Sequence, residues 1–349
     1  MSIWVRGIAF GLAIAFVVLT VVNASWLADD PQGRPQLIAH KGIAPVADSA
    51  KASADGCRAT EIEEPYTYHV GNSRAGIQRA GRLGAAVVEV DVSPTADGEM
   101  VLFGDATLDC RTNGTGPVRS ATLEELRALD IGYKYTADGG ATFPLRGEPN
   151  GRMPTVEEGA RAIPDRTSML FHFMSDDSAE ADLLAQKLKA AGRDPVEKED
   201  GFYGPAAPVA RIKDLFPQAW AFDLEGAQQC SSDYVMMAWI GVMPDSCTNG
   251  TMLIPVDGQF FYWGFPNRLI ERMEAVGGRV IITGPDVPGQ PISGLNLPEQ
   301  LTDIPDTYNG YVWIEDTLNI VPYLYNRLDS RVPIEREGGA AALERRRAQ

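Results

Sequence analysis

The chain has 349 residues, of which 44% are hydrophobic and 22% charged, with 35 glycines and 24 prolines. This composition is typical of a folded, loop-rich protein and excludes a largely disordered chain. The formal net charge of −16 argues against a nucleic-acid partner, because an acidic surface repels polyanions.

The N-terminal residues are apolar. Arg6 precedes a run from Ile8 to Val22, and an acidic pair follows at 29–30. Residues 1–28 are therefore predicted to form a signal peptide or an inner-membrane anchor, with the rest of the chain exported to the periplasmic or extracellular side. The run approaches the ~20 residues that span a bilayer, while Val22-Asn23-Ala24 offers a small-residue cleavage site, so both outcomes stay open. The alternative is a buried core helix, but the run has no amphipathic face.

The four cysteines are interpreted in the light of export. An even number of cysteines in an oxidising compartment predicts two disulfides, and the Cys-x2-Cys spacing of metal thiolates is absent. Of the three pairings, Cys57–Cys110 and Cys230–Cys247 are favoured, because the second closes a short loop and the first would tie down a long insertion. Four free buried thiols are the alternative.

Short apolar runs alternate with helix-like segments over residues 34–330. This rhythm indicates βα units and suits a (β/α)8 barrel, although an open doubly wound sheet would look similar. The predicted strands are Gln36–Ala39, Val87–Val92, Met100–Phe103, Ser168–Phe173, Ala219–Phe222, Thr251–Val256, Arg279–Thr283 and Gly310–Ile314. Residues 331–349, with two adjacent glycines and a run of three consecutive arginines at 345–347, are predicted to be a flexible tail.

Polar motifs lie at or near the ends of the first predicted strands. They are His40-Lys41-Gly42, Asn72-Ser73, Glu89-Val90-Asp91-Val92, Thr95-Ala96-Asp97-Gly98 and Asp105-Ala106-Thr107-Leu108-Asp109. In this order they resemble the His-Arg-Gly, Glu-Asn-Thr, Glu-x-Asp-Val, Thr-x-Asp-Gly and His-Asp-x-x-Leu-Asp motifs of the glycerophosphodiester phosphodiesterase family. The resemblance extends over about residues 40–130 and implies the (β/α)8 barrel of that family.

The resemblance also implies roles for seven residues. They are His40 and Lys41 in catalysis, Asn72 and Asp105 in ligand binding, and Glu89, Asp91 and His172 as metal ligands. Several positions depart from the family pattern. Lys41 stands in place of arginine, Gly71 in place of the motif glutamate, Gly104 in place of the second catalytic histidine, and His172 and Met174 in place of a glutamate and a lysine.

The nature of the metal depends on His172. Two carboxylates on one strand face suit Ca²⁺ or Mg²⁺, which the resemblance implies, whereas an added imidazole favours Zn²⁺ or Mn²⁺. The alternatives are that Glu89 and Asp91 form a hydrogen-bonded cluster without metal, as in a relic site, and that His172 is a core histidine.

Two functions from different classes are compatible with these residues. The favoured one is an exported, catalytically impaired protein that binds a glycerophosphodiester or phospholipid headgroup at the barrel mouth. The missing histidine removes a proton transfer that contributes typically 10²–10⁴-fold to the rate. The other is an active metal-dependent phosphodiester hydrolase with a rebuilt site, in which His40 is the base and Glu89 and Asp91 hold the metal. A purely structural envelope protein is a third, weaker reading.

Overall fold

A computed structural model describes residues 3–48, 57–147, 151–285 and 292–348. Its strands are β1 Gln36–Ala39, β2 Val87–Pro94, β3 Met100–Leu102, β4 Ser168–Phe173, β5 Gly201–Gly204, β6 Trp220–Asp223, β7 Thr251–Pro255, β8 Arg279–Thr283 and β9 Tyr311–Ile314. Its α-helices are α1 Ile3–Val22, α2 Arg74–Leu83, α3 Leu123–Arg127, α4 Val156–Ala162, α5 Ala179–Ala191, α6 Ala206–Leu215, α7 Leu224–Met237, α8 Asn267–Ala275, α9 Thr317–Leu324 and α10 Pro333–Arg347.

Eight of the strands form the parallel sheet of a (β/α)8 barrel. Neighbouring strands follow the order β6-β5-β4-β2-β1-β9-β8-β7. The central strand β2 is buried along almost its whole length, as expected of a parallel strand that is covered on both faces. The barrel predicted from the sequence is confirmed, and the open-sheet alternative is wrong.

One predicted barrel strand has another role. Strand β3 pairs antiparallel with β2, with Val92 opposite Leu102, and so lies outside the parallel order. The eighth parallel strand is β5, which sequence reasoning missed because glycine stands at both of its ends. Glycine usually interrupts a strand pattern. Here a side chain at Gly201 would meet the Trp220 ring at 2.7 Å, so close packing requires glycine.

The chain divides into two compact units. The first comprises residues 1–36, 225–292 and 302–312, and the second comprises 37–224, 293–301 and 313–349. In the second unit, the long segments after β1 and after α3 share a small hydrophobic core with β3, to which Ile62, Phe103, Tyr135 and Leu145 contribute. The described residues of both segments therefore contribute to packed structure.

Both predicted disulfides are confirmed. Cys57 bonds to Cys110, with Cα atoms 5.3 Å apart, and these two residues pack against the small core of the second unit. Cys230 bonds to Cys247 in the first unit, with Cα atoms 4.8 Å apart. Both separations fall within the usual disulfide range of about 4.4–6.8 Å.

The predicted flexible tail is wrong for most of its length, because α10 occupies Pro333–Arg347. Arg346 is buried and binds Asp316 at 2.7 Å and Glu63 at 2.6 Å. Asp316 also caps α9 by accepting a hydrogen bond from the Asn319 backbone. The two glycines do not fray the helix but allow close contact, since a Cβ atom at Gly338 would lie 2.4 Å from the Cβ of Tyr66.

We expect Arg346→Ala to lower the free energy of unfolding by about 3–5 kcal/mol, because it leaves the buried Asp316 carboxylate without its counter-charge. Arg345→Ala is the matched control, since Arg345 is exposed on the same helix, and it should change stability by about 0.5 kcal/mol or less. Urea unfolding measures both values. Equal stability of the two variants would show that α10 is not a structural part of the unit.

Candidate active site at the strand ends

Strand register brings the predicted site residues together. Asp91 on β2 pairs with His172 on β4, and His172 in turn pairs with Tyr203 on β5. On the other side of β2, Ala39 pairs with Val88, so His40 follows β1 next to Glu89. Because side chains of paired residues in parallel strands point the same way, the polar groups share one face near the carboxyl ends of the strands.

Glu89 and Asp91 form the buried centre of the site, with 0% and 1% of each residue exposed. Glu89 Oε1 accepts from the Tyr203 hydroxyl at 2.8 Å, and its Oε2 accepts from the Lys41 backbone N–H at 3.0 Å. Asp91 Oδ1 lies 2.8 Å from His172 Nδ1. Asp91 Oδ2 lies 3.1 Å from the Lys41 ammonium. Each carboxylate oxygen therefore has a partner, as buried charges require.

The surroundings shift the pKa values of the two carboxyl groups in opposite directions. Burial and the neighbouring Asp91 charge raise the pKa of Glu89 above its ordinary value. Burial would also raise the pKa of Asp91, but Lys41 and the His172 hydrogen bond outweigh it and hold that pKa well below the ordinary value. Asp91 is thus the permanent anion, and Glu89 is the carboxyl group that most favours a proton or a cation beside it.

His40 is held by a residue that sequence reasoning missed. Its Nδ1 lies 2.7 Å from Oε2 of Glu315, the first residue after β9, and its Nε2 lies 3.9 Å from Glu89. Burial opposes a charge on His40, yet the Glu315 and Glu89 carboxylates outweigh it and raise the pKa of His40. Burial likewise would raise the pKa of Glu315, but His40 lowers it below the ordinary value. The position of Glu315 at a strand end was the available signal.

Lys41 and Asn72 both adopt left-handed backbone conformations, with φ of 57° and 64°. Such a conformation is uncommon for lysine, costs of order 1–3 kcal/mol, and is concentrated at functional sites. The Asn72 backbone N–H donates to the Lys41 carbonyl at 3.0 Å. The Asn72 side chain donates to Asp91 Oδ2 at 2.8 Å and accepts from the Asp91 N–H at 3.1 Å. In this arrangement the Asn72 amide positions Asp91.

The structure places Asp105 in a different pairing. Its carboxylate accepts two hydrogen bonds from the buried Arg111, one of them 2.6 Å long from Nε. Burial disfavours the charge of Arg111, but Tyr135 and Asp105 outweigh this, and the pKa of Arg111 is raised. Asp105 therefore fixes an arginine that is close enough to influence Lys41 electrostatically.

Gly104 leaves the space that Asp91 fills. A Cβ atom built at Gly104 would lie 2.0 Å from Asp91 Oδ2 and 2.6 Å from its Cγ. The Phe103 backbone N–H donates to the Asp91 carbonyl at 3.1 Å, which holds the strands at this separation. A side chain at position 104 thus cannot coexist with the observed Asp91 carboxylate position.

A metal ion would fit the donor set. One ligand atom each from Glu89, Asp91 and His172 lies within 4.8 Å of the others, and two carboxylate oxygens with an imidazole form a common set for divalent cations. The predicted metal ligands are therefore brought together. The His172 ring also stacks on Tyr203 at 4.1 Å, so it has a packing role as well.

Comparison with known proteins extends these observations. Residues 65–200 match the family model of the Glycerophosphoryl diester phosphodiesterase family. A glycerophosphodiester phosphodiesterase of Caldanaerobacter subterraneus is 42% identical over 95 residues, covering 27% of this chain and 35% of that protein. Glycerophosphodiester phosphodiesterase 1 of Bos taurus is 40% identical over 101 residues, covering 29% and 28%.

Residues 65–200 of the chain therefore resemble this phosphodiesterase family in sequence. The chain spans about a third of the length of these curated relatives. The residues that match the family model include Asn72, Glu89, Asp91, Gly104 and His172, whereas His40 and Glu315 lie outside the matched range. The resemblance drawn from the motifs is confirmed.

Solved structures of the phosphodiesterase family share the fold. The glycerophosphoryl diester phosphodiesterase domain of an uncharacterized Mycobacterium tuberculosis protein aligns with a TM-score of 0.57 and 14% identity, covering 84% of this chain and 99% of that one. An Oleispira antarctica phosphodiesterase, solved with the product sn-glycerol-3-phosphate, aligns with a TM-score of 0.54 and 18% identity, covering 84% and 97%. At this level of identity the match shows the barrel alone.

We expect Glu315→Gln to lower the pKa of His40, measured by NMR titration of its imidazole in the presence of a chelator. The His40 charge favours the folded protein fully below the unfolded pKa of about 6.5, and this contribution is lost as pH rises through the raised folded pKa. The depressed pKa of Glu315 contributes above about pH 4.5 and is lost as pH falls through the folded value. The His40–Glu315 pair therefore stabilises the fold most between about pH 4.5 and about pH 6.5.

Glu344→Gln is the control for this titration, because Glu344 is exposed on α10. It should leave the pKa of His40 unchanged. An unchanged His40 pKa in Glu315→Gln as well would mean that the two side chains are not paired in solution.

Proposed function

We propose that this chain binds a glycerophosphodiester, or the equivalent headgroup of a phospholipid, at the strand ends and hydrolyses it slowly. The observation that carries this proposal is that the Asp91 carboxylate occupies the volume in which a side chain of residue 104 would begin. A general acid at position 104 would need space that Asp91 already fills. Proton transfer from that position to a leaving alkoxide is therefore excluded, and such a transfer typically contributes 10²–10⁴-fold.

The balance of charge supports a role for a divalent cation in binding. With Asp105 and Arg111 paired to each other, the site holds three carboxylates, those of Glu89, Asp91 and Glu315, against the charges of His40 and Lys41. A phosphodiester monoanion would add to a net negative site when His172 is neutral, as a metal ligand must be. Glu89, Asp91 and His172 would hold a divalent cation, which when bound supplies positive charge to the phosphate.

The remaining groups have separate tasks in the proposed complex. His40 holds a proton on an imidazole oriented by Glu315, and this cation can donate a hydrogen bond to a phosphate oxygen. Lys41 is committed to Asp91, so it contributes charge near the phosphate without the two-pronged contact that arginine makes. Asn72 and Tyr203 keep the two carboxylates in place.

The second candidate is an active hydrolase with a rebuilt site. The observation that favours it is that His40 and His172 flank Glu89, with nitrogen–oxygen distances of 3.9 Å and 3.7 Å. Two imidazoles beside one carboxylate could act as a general acid and a general base. In this candidate His40 is the base, and Glu89 and Asp91 hold the metal.

Export is also part of the proposal. Two disulfides formed by all four cysteines are typical of proteins outside the cytoplasm. Helix α1 adds a segment that could serve as a signal or an anchor, since Trp4–Val22 has a mean hydropathy of 2.4.

Turnover tests the first candidate against the second. We expect release of glycerol phosphate from glycerophosphoethanolamine at least about 10²-fold slower than by the Caldanaerobacter relative assayed in parallel, with Ca²⁺, Mg²⁺, Mn²⁺ or Zn²⁺. At saturating substrate the residual rate should fall little in His40→Ala, because the first candidate gives His40 a role in binding and none in proton transfer. Turnover equal to that of the relative, and abolished by His40→Ala, would establish the active hydrolase. Absence of both binding and turnover would contradict both candidates.

A further inference from the structure

The end of helix α1 is built into the first unit. Asn23, only 3% exposed, follows the helix, and its side-chain amide donates to the carbonyls of Leu19 and Trp239 at 2.8 and 2.9 Å. The Arg272 guanidinium on α8 donates to Asn23 Oδ1. The buried Asn23 amide thus has hydrogen-bond partners on α1, at Trp239 and on α8. It belongs to the packed structure and not to a frayed helix end.

The residues around Asn23 are shaped to receive it. Gly264 has a φ of +78°, and a Cβ atom there would lie 2.7 Å from the Asn23 carbonyl oxygen. Gly241 has a φ of +83°, and a Cβ atom there would lie 3.3 Å from Asn23 Oδ1. Any other residue at either position would be strained, and at Gly264 it would also collide with Asn23. The conformations of Gly241 and Gly264 are therefore suited to a mature protein that retains Asn23.

The next residues continue the same attachment. The Asn267 backbone N–H donates to the Ser25 hydroxyl at 3.0 Å, and the Asn267 side chain donates to Asp30 at 2.7 Å. Arg268 donates to the Leu27 carbonyl at 3.0 Å. The N-terminus of α8 is therefore held by the segment 25–30. Cleavage after Ala24 would remove Asn23 and leave Arg272 without this acceptor.

Large apolar side chains stand exposed around this attachment. Trp26 is 76% exposed and Phe260 79% exposed, and both line a cavity of about 550 Å³ that also includes Thr20 and Asn23 at the end of α1. The turn at 238–240, which includes Trp239, packs against α1. Met236, Met237, Ile240 and Val242 neighbour Trp239 in the sequence, Phe261 follows Phe260, and all five side chains are exposed. We call these eight residues the apolar collar.

We propose that α1 is retained as a membrane anchor and that the apolar collar rests in the interfacial layer of the same bilayer. The length of α1 indicates that a lipid bilayer covers this surface. Trp4–Val22 comprises 19 residues with none of its window buried, which at ~1.5 Å per residue matches a hydrocarbon core of about 30 Å. Where such a helix enters its domain, the adjoining surface lies at the headgroup level, which favours tryptophan and other aromatic residues. The proposal does not depend on the chemistry at the strand ends.

The first test is the N-terminus of the mature protein. The full chain, expressed with its own leader in a bacterium and extracted from membranes, should have an intact mass that includes residues 1–24, and it should resist alkaline carbonate extraction. A mature protein that begins at Ser25 and is released without detergent would overturn the proposal.

The second test locates the apolar collar. In proteoliposomes of lipids brominated near the headgroup end of the acyl chains, the double variant Trp26→Phe, Trp239→Phe should lose about half of the bromine-quenched tryptophan emission. Trp220→Phe is the control, because Trp220 is a buried residue of the second unit and its loss should leave the amount of bromine-quenched emission unchanged. Equal quenching in the two variants would show that the collar faces something other than lipid, such as a partner protein or a second copy of the chain.

Discussion

The site depends on two carboxylates buried on one strand. Glu89 and Asp91 are separated by one residue on β2, so both point toward the same face, where water cannot solvate them. Two such charges require donors and positive charge from their surroundings. The backbone N–H of Lys41, the Tyr203 hydroxyl, the Asn72 amide and His172 supply the hydrogen bonds, and the Lys41 ammonium supplies charge.

The same constraint connects two positions at which the motif resemblance predicts other residues. The resemblance predicts arginine where Lys41 stands and histidine where Gly104 stands. In the structure, Asp91 Oδ2 reaches the Lys41 ammonium while occupying the volume in which a Cβ atom of residue 104 would lie. The small residue at 104 and the ion pair at 41 thus belong to a single arrangement of Asp91. Considered separately, each of these two residues would only weaken phosphate binding or remove a proton donor.

Sequence reasoning located the centre of the site and missed part of its surroundings. His40, Glu89 and Asp91 could be predicted because their motifs follow strands in the order of the family. Tyr203 could not, because its strand is bounded by glycines that are needed for close packing but look like breaks. For the same reason Gly338 predicts a flexible tail from the sequence, although in the structure it packs against Tyr66. From the sequence alone, a glycine that permits close packing cannot be distinguished from a glycine that breaks a helix or strand.

In the proposed function, the buried carboxylate pair requires a divalent cation before the site accepts an anionic phosphodiester. Isothermal titration of glycerophosphoethanolamine into the protein, with Mn²⁺ and with chelator, tests it most directly. Affinity should fall by at least about tenfold when the cation is removed, and Asp91→Asn should bind weakly in either condition. Equal affinity with and without Mn²⁺, unchanged in Asp91→Asn, would contradict this requirement.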